Sequence, residues 1–325
     1  MSEIAEAAKA ERDLGVAGAQ TGPGGAFPED PFPAVPEPPV RHQQIIITLY
    51  GLYARQRESA LPVSVLIAML GDLGYDAPGV RSSVSRLKAK GVLNSVRTDG
   101  VAGYAISPRA LEIFTEGDER IFATEQANPG HDWVLAIFSV PESMRSKRHQ
   151  LRSELQALGF GAMGSGVWIA PARVQPVAKR RLEARGLAGF VEFFHGDYAT
   201  DTDMRQKVAQ WWDLGELDAQ LREFLDVYAG ALDRWTAELG DSPDAALAAA
   251  SDQTLRAAFR YYIPMLTLWR RIPYRDPGLP LDLLPEGWKG PEAQRIFLGV
   301  HRLIAPLAAA HARTLMGRQP TPAPH

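Results

Sequence analysis

The chain has 325 residues, 46 % of them apolar, which is enough for two or three domains with real cores. Its net charge of −3 excludes a generally basic, histone-like protein, and zero cysteines exclude disulfides, thiol nucleophiles and thiolate metal sites. No apolar run reaches the roughly 18–20 residues needed to cross a bilayer, and the N-terminus lacks a charged-then-apolar leader, so a cytoplasmic protein with no membrane partner is expected.

Residues 1–40 are too rich in Pro and Gly to pack, and read as a disordered tail. Order begins near Arg41. Gln44–Arg55 and Leu61–Leu73 carry helical apolar spacing. Asp76 and Pro78 then start a third helix, because Asp caps free N–H groups and Pro sacrifices none in the first turn. Val80, Val84 and Leu87 form its buried stripe; Ser82, Ser85, Arg86 and Ala89 lie opposite, with Arg81 and Lys88 on the flank. Gly91 ends it. Two strand-like runs follow, Val92–Arg97 and Gly103–Ser107, around the turn Thr98-Asp99-Gly100. Ser107-Pro108 starts a further helix.

A helix with a small, polar, basic outer face followed by a hairpin has the pattern of a winged helix-turn-helix over residues 41–122. Between Gly79 and Arg109 six cations face only Asp99, a local charge of +5 in an acidic chain. Such a patch is an electrostatic footprint for phosphate. Arg81 and Arg86 are the candidate base or phosphate contacts, since an arginine fork matches guanine O6 and N7. Ser82, Ser83 and Ser85 would let the helix approach closely, Lys88, Lys90 and Arg97 would reach phosphates, and Tyr104 would touch the backbone from the wing or pack within it. The alternative is an amphipathic helix and hairpin with a solvated face, or a wing that meets a protein.

Residues 131–198 read as strand, helix, two strands, helix, strand: Trp133–Val140, Glu142–Leu158 (with Met144, Leu151, Leu155 and Leu158 inward), Phe160–Met163, Val167–Ala170, Val174–Arg185 and Gly189–His195. That βαββαβ order is ferredoxin-like. It is shared with a small metal-dependent nuclease, the enzyme alternative. The first strand, however, ends in Ser139-Val140-Pro141 where such a nuclease needs a carboxylate. Glycines 159–166 lack the Lys-Ser/Thr of a phosphate loop, and no histidine pair has metal-ligand spacing. No catalytic residue, metal or cofactor is expected. Residues 203–316 read as all-α: Lys207–Leu214, Leu217–Leu239, Pro243–Arg271, an irregular proline-bearing segment, and Pro291–Thr314. Residues 317–325 read as a second tail. The expected fold is thus α+β and multidomain.

The blocks ITLYGLYAR (47–55), VRSSVSRLKAKGVL (80–93), LRSELQALGFGAMGSGVWIAP (151–171) and DPGLPLDLLPEGWKG (276–290) resemble the PaaX family of bacterial transcriptional repressors. The resemblance covers most of residues 44–306. It implies a homodimer on double-stranded operator DNA, released by an aryl-CoA thioester such as phenylacetyl-CoA. A thioester needs cations for its phosphates and an apolar slot for its acyl group. The candidates are Arg256, Arg260, Arg270, Arg271 and Arg275 with Tyr261, Tyr262, Trp269 and Trp211. An exposed arginine ridge and core aromatics are the plainer reading of the same residues.

Overall fold

The computed structural model describes residues 41–55, 60–98, 101–122 and 132–317. The expectations for residues 1–40, for the turn at 99–100 and for 318–325 lie outside them. The protein is mixed α+β, and its described residues form two compact units, neither continuous in sequence. One comprises 41–122, 223–271 and 292–317; the other comprises 132–222 and 272–291.

The first unit opens with α1 (His42–Tyr53), buried at every position from Gln43 to Tyr50. A helix buried on all sides needs a partner on each. The chain then forms β1 (Leu61–Pro62), α2 (Val63–Asp72) and α3 (Ala77–Ala89). Asp76 caps α3 by accepting from the Gly79 N–H at 3.1 Å, and Gly91 takes φ +69° beyond its end. Strands β2 (Leu93–Thr98) and β3 (Val101–Ile106) pair antiparallel, and β1 adds to the other edge of β3. That third strand was not expected, since two residues carry no periodicity. Gly103 admits it: a Cβ there would lie 2.9 Å from the Leu61 carbonyl oxygen. α4 (Pro108–Ile121) is capped by Ser107, as the Ser107-Pro108 pair predicted.

The helical part of this unit contains the end of α8 (Leu214–Tyr228), then α9 (Ala231–Leu239), α10 (Pro243–Ala249), α11 (Asp252–Trp269) and α12 (Gly290–Gly317). The two long helices expected at 217–239 and 243–271 are each broken in two. Gly230 opens α9, and the Ser251 side chain accepts from the Thr254 N–H at 3.1 Å. A serine that satisfies the backbone this way competes with helix continuation. α11 lies on α1, where the hydroxyls of Thr267 and Thr48 meet at 2.8 Å. Tyr50, Leu66, Phe259, Tyr261, Tyr262 and Phe297 fill the shared core.

The second unit is built on β4 (Trp133–Phe138), α5 (Arg145–Ala157), β5 (Gly161–Ala162), β6 (Val167–Pro171), α6 (Gln175–Ala184) and β7 (Val191–Gly196). Its antiparallel sheet has the order β5-β6-β4-β7. Val134, Ala136 and Phe138 pack under Leu151, Leu155, Ala178 and Leu182 of the two helices. Trp133 and Ile169, on the opposite face, pack with α7 (Met204–Trp211) and with Leu279, Leu283 and Leu284. Met144, expected inward, is 44 % exposed, because Glu142–Met144 form a 3₁₀ turn after Pro141 rather than the first turn of α5.

The DPGLP segment is held by a local clamp. Gly278 adopts φ +61°, its N–H donates to Asp276 Oδ1 at 2.7 Å, and its carbonyl accepts from Arg173 Nη2 at 2.7 Å. A Cβ at Gly278 would overlap the Arg173 guanidinium. Gly278→Ala should cost about 1–3 kcal/mol through left-handed strain and loss of that bond. A lowered urea midpoint checks this; an unchanged midpoint would mean the clamp contributes nothing.

Candidate nucleic-acid interface

The segregation of apolar and polar residues on α3 is reproduced in three dimensions. Val80, Val84 and Leu87 are at most 2 % exposed, while Arg81, Ser82, Ser85, Arg86, Lys88 and Lys90 stand outward. Ser83 does not: it is buried, because it falls one turn from both Val80 and Leu87 on the inner stripe. Of the three serines expected to let the helix approach closely, only Ser82 and Ser85 are exposed. α3 packs on α1 and α2, and its C-terminus leads into the hairpin.

Among the described residues, Arg81, Arg86, Lys88 and Arg97 have no ion-pair partner. Lys90 reaches only Gln43 Oε1, at 3.4 Å. Arg97 is exposed on β2. Tyr104 is half-buried on the central strand, and its carbonyl accepts from the Tyr50 hydroxyl at 3.0 Å. The head is braced from behind by Arg55, which forks onto Asp118 (Nη2–Oδ1 2.6 Å) and so ties the end of α1 to α4. The result is a rigid helix presenting unneutralised guanidinium and ammonium groups beside short hydroxyls. Such a surface can dock on phosphate and admit base edges.

The candidate effector residues are distributed over both units. Arg256, Arg260, Tyr261, Trp269, Arg270 and Arg271 fall in the first unit, Arg275 and Trp211 in the second. Arg256 pairs with Asp72 at 2.6 Å, Arg271 with Glu223 at 4.0 Å, and Arg275 with Glu216. Trp269 is 5 % exposed, stacked on Phe297 with centroids 4.6 Å apart, and its Nε1–H donates to the Ile121 carbonyl at 3.1 Å. Tyr261 is wholly buried beside Tyr228 and Trp235, and Arg270 is 9 % exposed. Trp211 packs edge-on against Tyr198 and Trp212. Arg260 is partly exposed on α11.

Asp72 and His301 link head and helices within the first unit. Asp72, at the end of α2, accepts from Arg256 Nη2 at 2.6 Å and from His311 Nε2 at 2.7 Å. A carboxylate in the last turn of a helix opposes the helix dipole, a sign that it is held by cations or donors elsewhere. His301 of α12 lies against Phe122 and Phe297, and its Nδ1 is hydrogen-bonded to the Tyr262 hydroxyl at 2.7 Å. Burial pushes its pKa below the usual histidine value. The folded protein thus binds this proton less readily than the unfolded chain. Stability contributed by neutral His301 is present above about pH 6.5 and lost as pH falls through the window below it. His301→Gln should flatten the fall of the unfolding midpoint between pH 7 and 5; parallel profiles would disprove it. Among the described residues no cluster of three or more His, Asp or Glu is placed to hold a metal, and no helix is long and apolar enough to cross a membrane.

Family models match three consecutive stretches: "PaaX-like protein" at 41–110, "PaaX protein central Cas2-like domain" at 126–208 and "PaaX-like protein C-terminal domain" at 212–314. The chain belongs to the PaaX family. The curated Transcriptional repressor PaaX of Escherichia coli (strain K12) is 25 % identical over 296 residues, covering 89 % of this chain and 90 % of that one. The solved structure of Uncharacterized protein Rv0674 from Mycobacterium tuberculosis aligns with a TM-score of 0.48 at 23 % identity, over 85 % of this chain and 98 % of that one. The first PaaX match takes in α1 to α3 and the hairpin, and so includes the cationic face.

Proposed function

We propose that this PaaX-family protein is a cytoplasmic transcriptional repressor that reads operator DNA with α3. In this reading residues 41–122 are a winged helix-turn-helix, with α2 and α3 as the helix pair and β2–β3 as the wing. Residues 131–198 are a ferredoxin-like domain, whose central first strand between the third and fourth agrees with that order. The observation that carries the proposal is the exposed, unneutralised row Arg81, Arg86 and Lys88 on a helix whose other face is locked into the core. A homodimer would present two such helices to half-sites about one DNA turn apart.

The test is fluorescence anisotropy with duplexes from the region upstream of the gene and with unrelated duplexes, across a salt series. Preferential binding whose log K falls steeply with log salt is expected, by about 0.9 per neutralised phosphate. Binding without salt dependence, or none to the upstream region, would overturn it.

Release would come from a small effector, an aryl-CoA thioester or another aromatic or heterocyclic pathway intermediate, held by residues of 203–316. An effector moves the equilibrium only through its differential affinity for the two states. Arg256 is the informative cation, because an anion that took it from Asp72 would loosen α2 from α11. A thermal-shift series with phenylacetyl-CoA, phenylacetate and CoA tests this. Phenylacetyl-CoA alone should raise the midpoint and lower DNA affinity; no response to any of the three would remove this effector class.

A further inference from the structure

A second cationic surface lies outside the head. In the 132–222 unit, α5 and α6 lie side by side on one sheet face. Along the outer side of α5, Arg145, His149, Arg152 and Gln156 repeat at i, i+4, i+7 and i+11, all exposed. On α6, Lys179 and Arg180 are exposed. Arg145, Lys147, Arg152, Lys179 and Arg180 have no hydrogen-bond or ion-pair partner among the described residues.

The acidic groups on this layer do not answer that charge. Glu154 is 3 % exposed and already serves Arg181 at 2.8 Å and Arg185 at 4.0 Å. Glu142 is taken by Arg148 at 2.8 Å, which leaves Glu183 as the exposed carboxylate of the two helices. Like charges crowded on one surface repel, and a polyanion bound there would neutralise them. Seven residues of helix span about 10 Å. Arg145 and Arg152 are therefore too far apart to grip one small anion together, and suit the spread, repeated charge of a polyanion backbone.

We propose that the α5–α6 layer is a second phosphate-binding surface, which grips the backbone of duplex DNA outside the bases that α3 reads. The proposal rests on the DNA-binding reading above. It assigns this layer non-specific affinity and leaves discrimination between sequences to α3, because backbone contacts position without specifying.

The full-length variant Arg145→Gln/Arg152→Gln/Lys179→Gln/Arg180→Gln separates the two roles. It is measured on a 40-bp upstream duplex and a 40-bp unrelated duplex. Affinity should fall about tenfold or more on both, the ratio between them should persist, and the log–log salt slope should become shallower by about 3 to 4. The lysine counterpart Arg145→Lys/Arg152→Lys/Arg180→Lys, which keeps the charge, should bind like wild type. That result guards against a folding defect.

Unchanged affinity and slope in the glutamine variant, with wild type binding normally, would overturn the proposal and leave the α3 reading intact. The same outcome with polyglutamate retained by wild type but not by the variant would assign the face to an acidic protein instead. Wild type that binds neither duplex would overturn both readings together.

Discussion

Replacing Arg81 and Arg86 together with alanine should all but abolish preference for the upstream duplex. Both side chains are exposed on α3 and free of acidic partners, so their loss costs the fold little. Each fork on a guanine contributes about 1–3 kcal/mol of discrimination, and the pair about 2–6 kcal/mol, or roughly thirtyfold to more than a thousandfold. The quantity to measure is the affinity ratio between upstream and unrelated duplexes, with the thermal midpoint as control. A ratio that survives in a folded double variant would show that α3 does not read bases. Lys88→Ala, by contrast, should weaken both duplexes equally and flatten the salt slope by about one phosphate.

Trp269→Ala should be among the most destabilising single changes in the first unit. The indole is packed against Phe224 and stacked on Phe297, and its N–H holds the Ile121 carbonyl. Truncating a buried tryptophan costs about 3–5 kcal/mol, and the abandoned carbonyl adds to that. Stabilities of such units are about 5–15 kcal/mol, so the variant should lose a large part of its urea midpoint. A well-folded variant with altered effector response would instead make Trp269 a ligand-stacking residue. Trp269→Phe keeps the stack, loses the hydrogen bond, and should fall between the two.

The exposed cationic side of α3 was largely legible because the helix segregates its residues so sharply. Val80, Val84 and Leu87 define one face, and the cations are left the other. Ser83 misled only as a small polar residue on the inner stripe, where the i+3 spacing from Val80 already places it. Around the candidate effector residues spacing offered no such division. From Ala257 to Trp269 only Arg260 escapes full burial, so spacing could not choose a lining face over a core face. Nor could a linear reading foresee that α1 and α11, more than 200 residues apart, would cover each other. The near-continuous apolar character of both helices stated only that each needed two partners. The breaks at Gly230 and Ser251 were readable in principle as cap residues, but the flanking apolar spacing continues through them.

The interleaving of the two units sets a timetable for synthesis. The segment from α1 to α4 leaves the ribosome early, yet α11 comes about 200 residues after α1, and His311 later still. At about 5–20 residues per second, the nascent head waits tens of seconds with the far side of α1 uncovered. Meanwhile 132–222 must wait only for 272–291 to finish its second sheet face. The packing behind the cationic helix is therefore completed last.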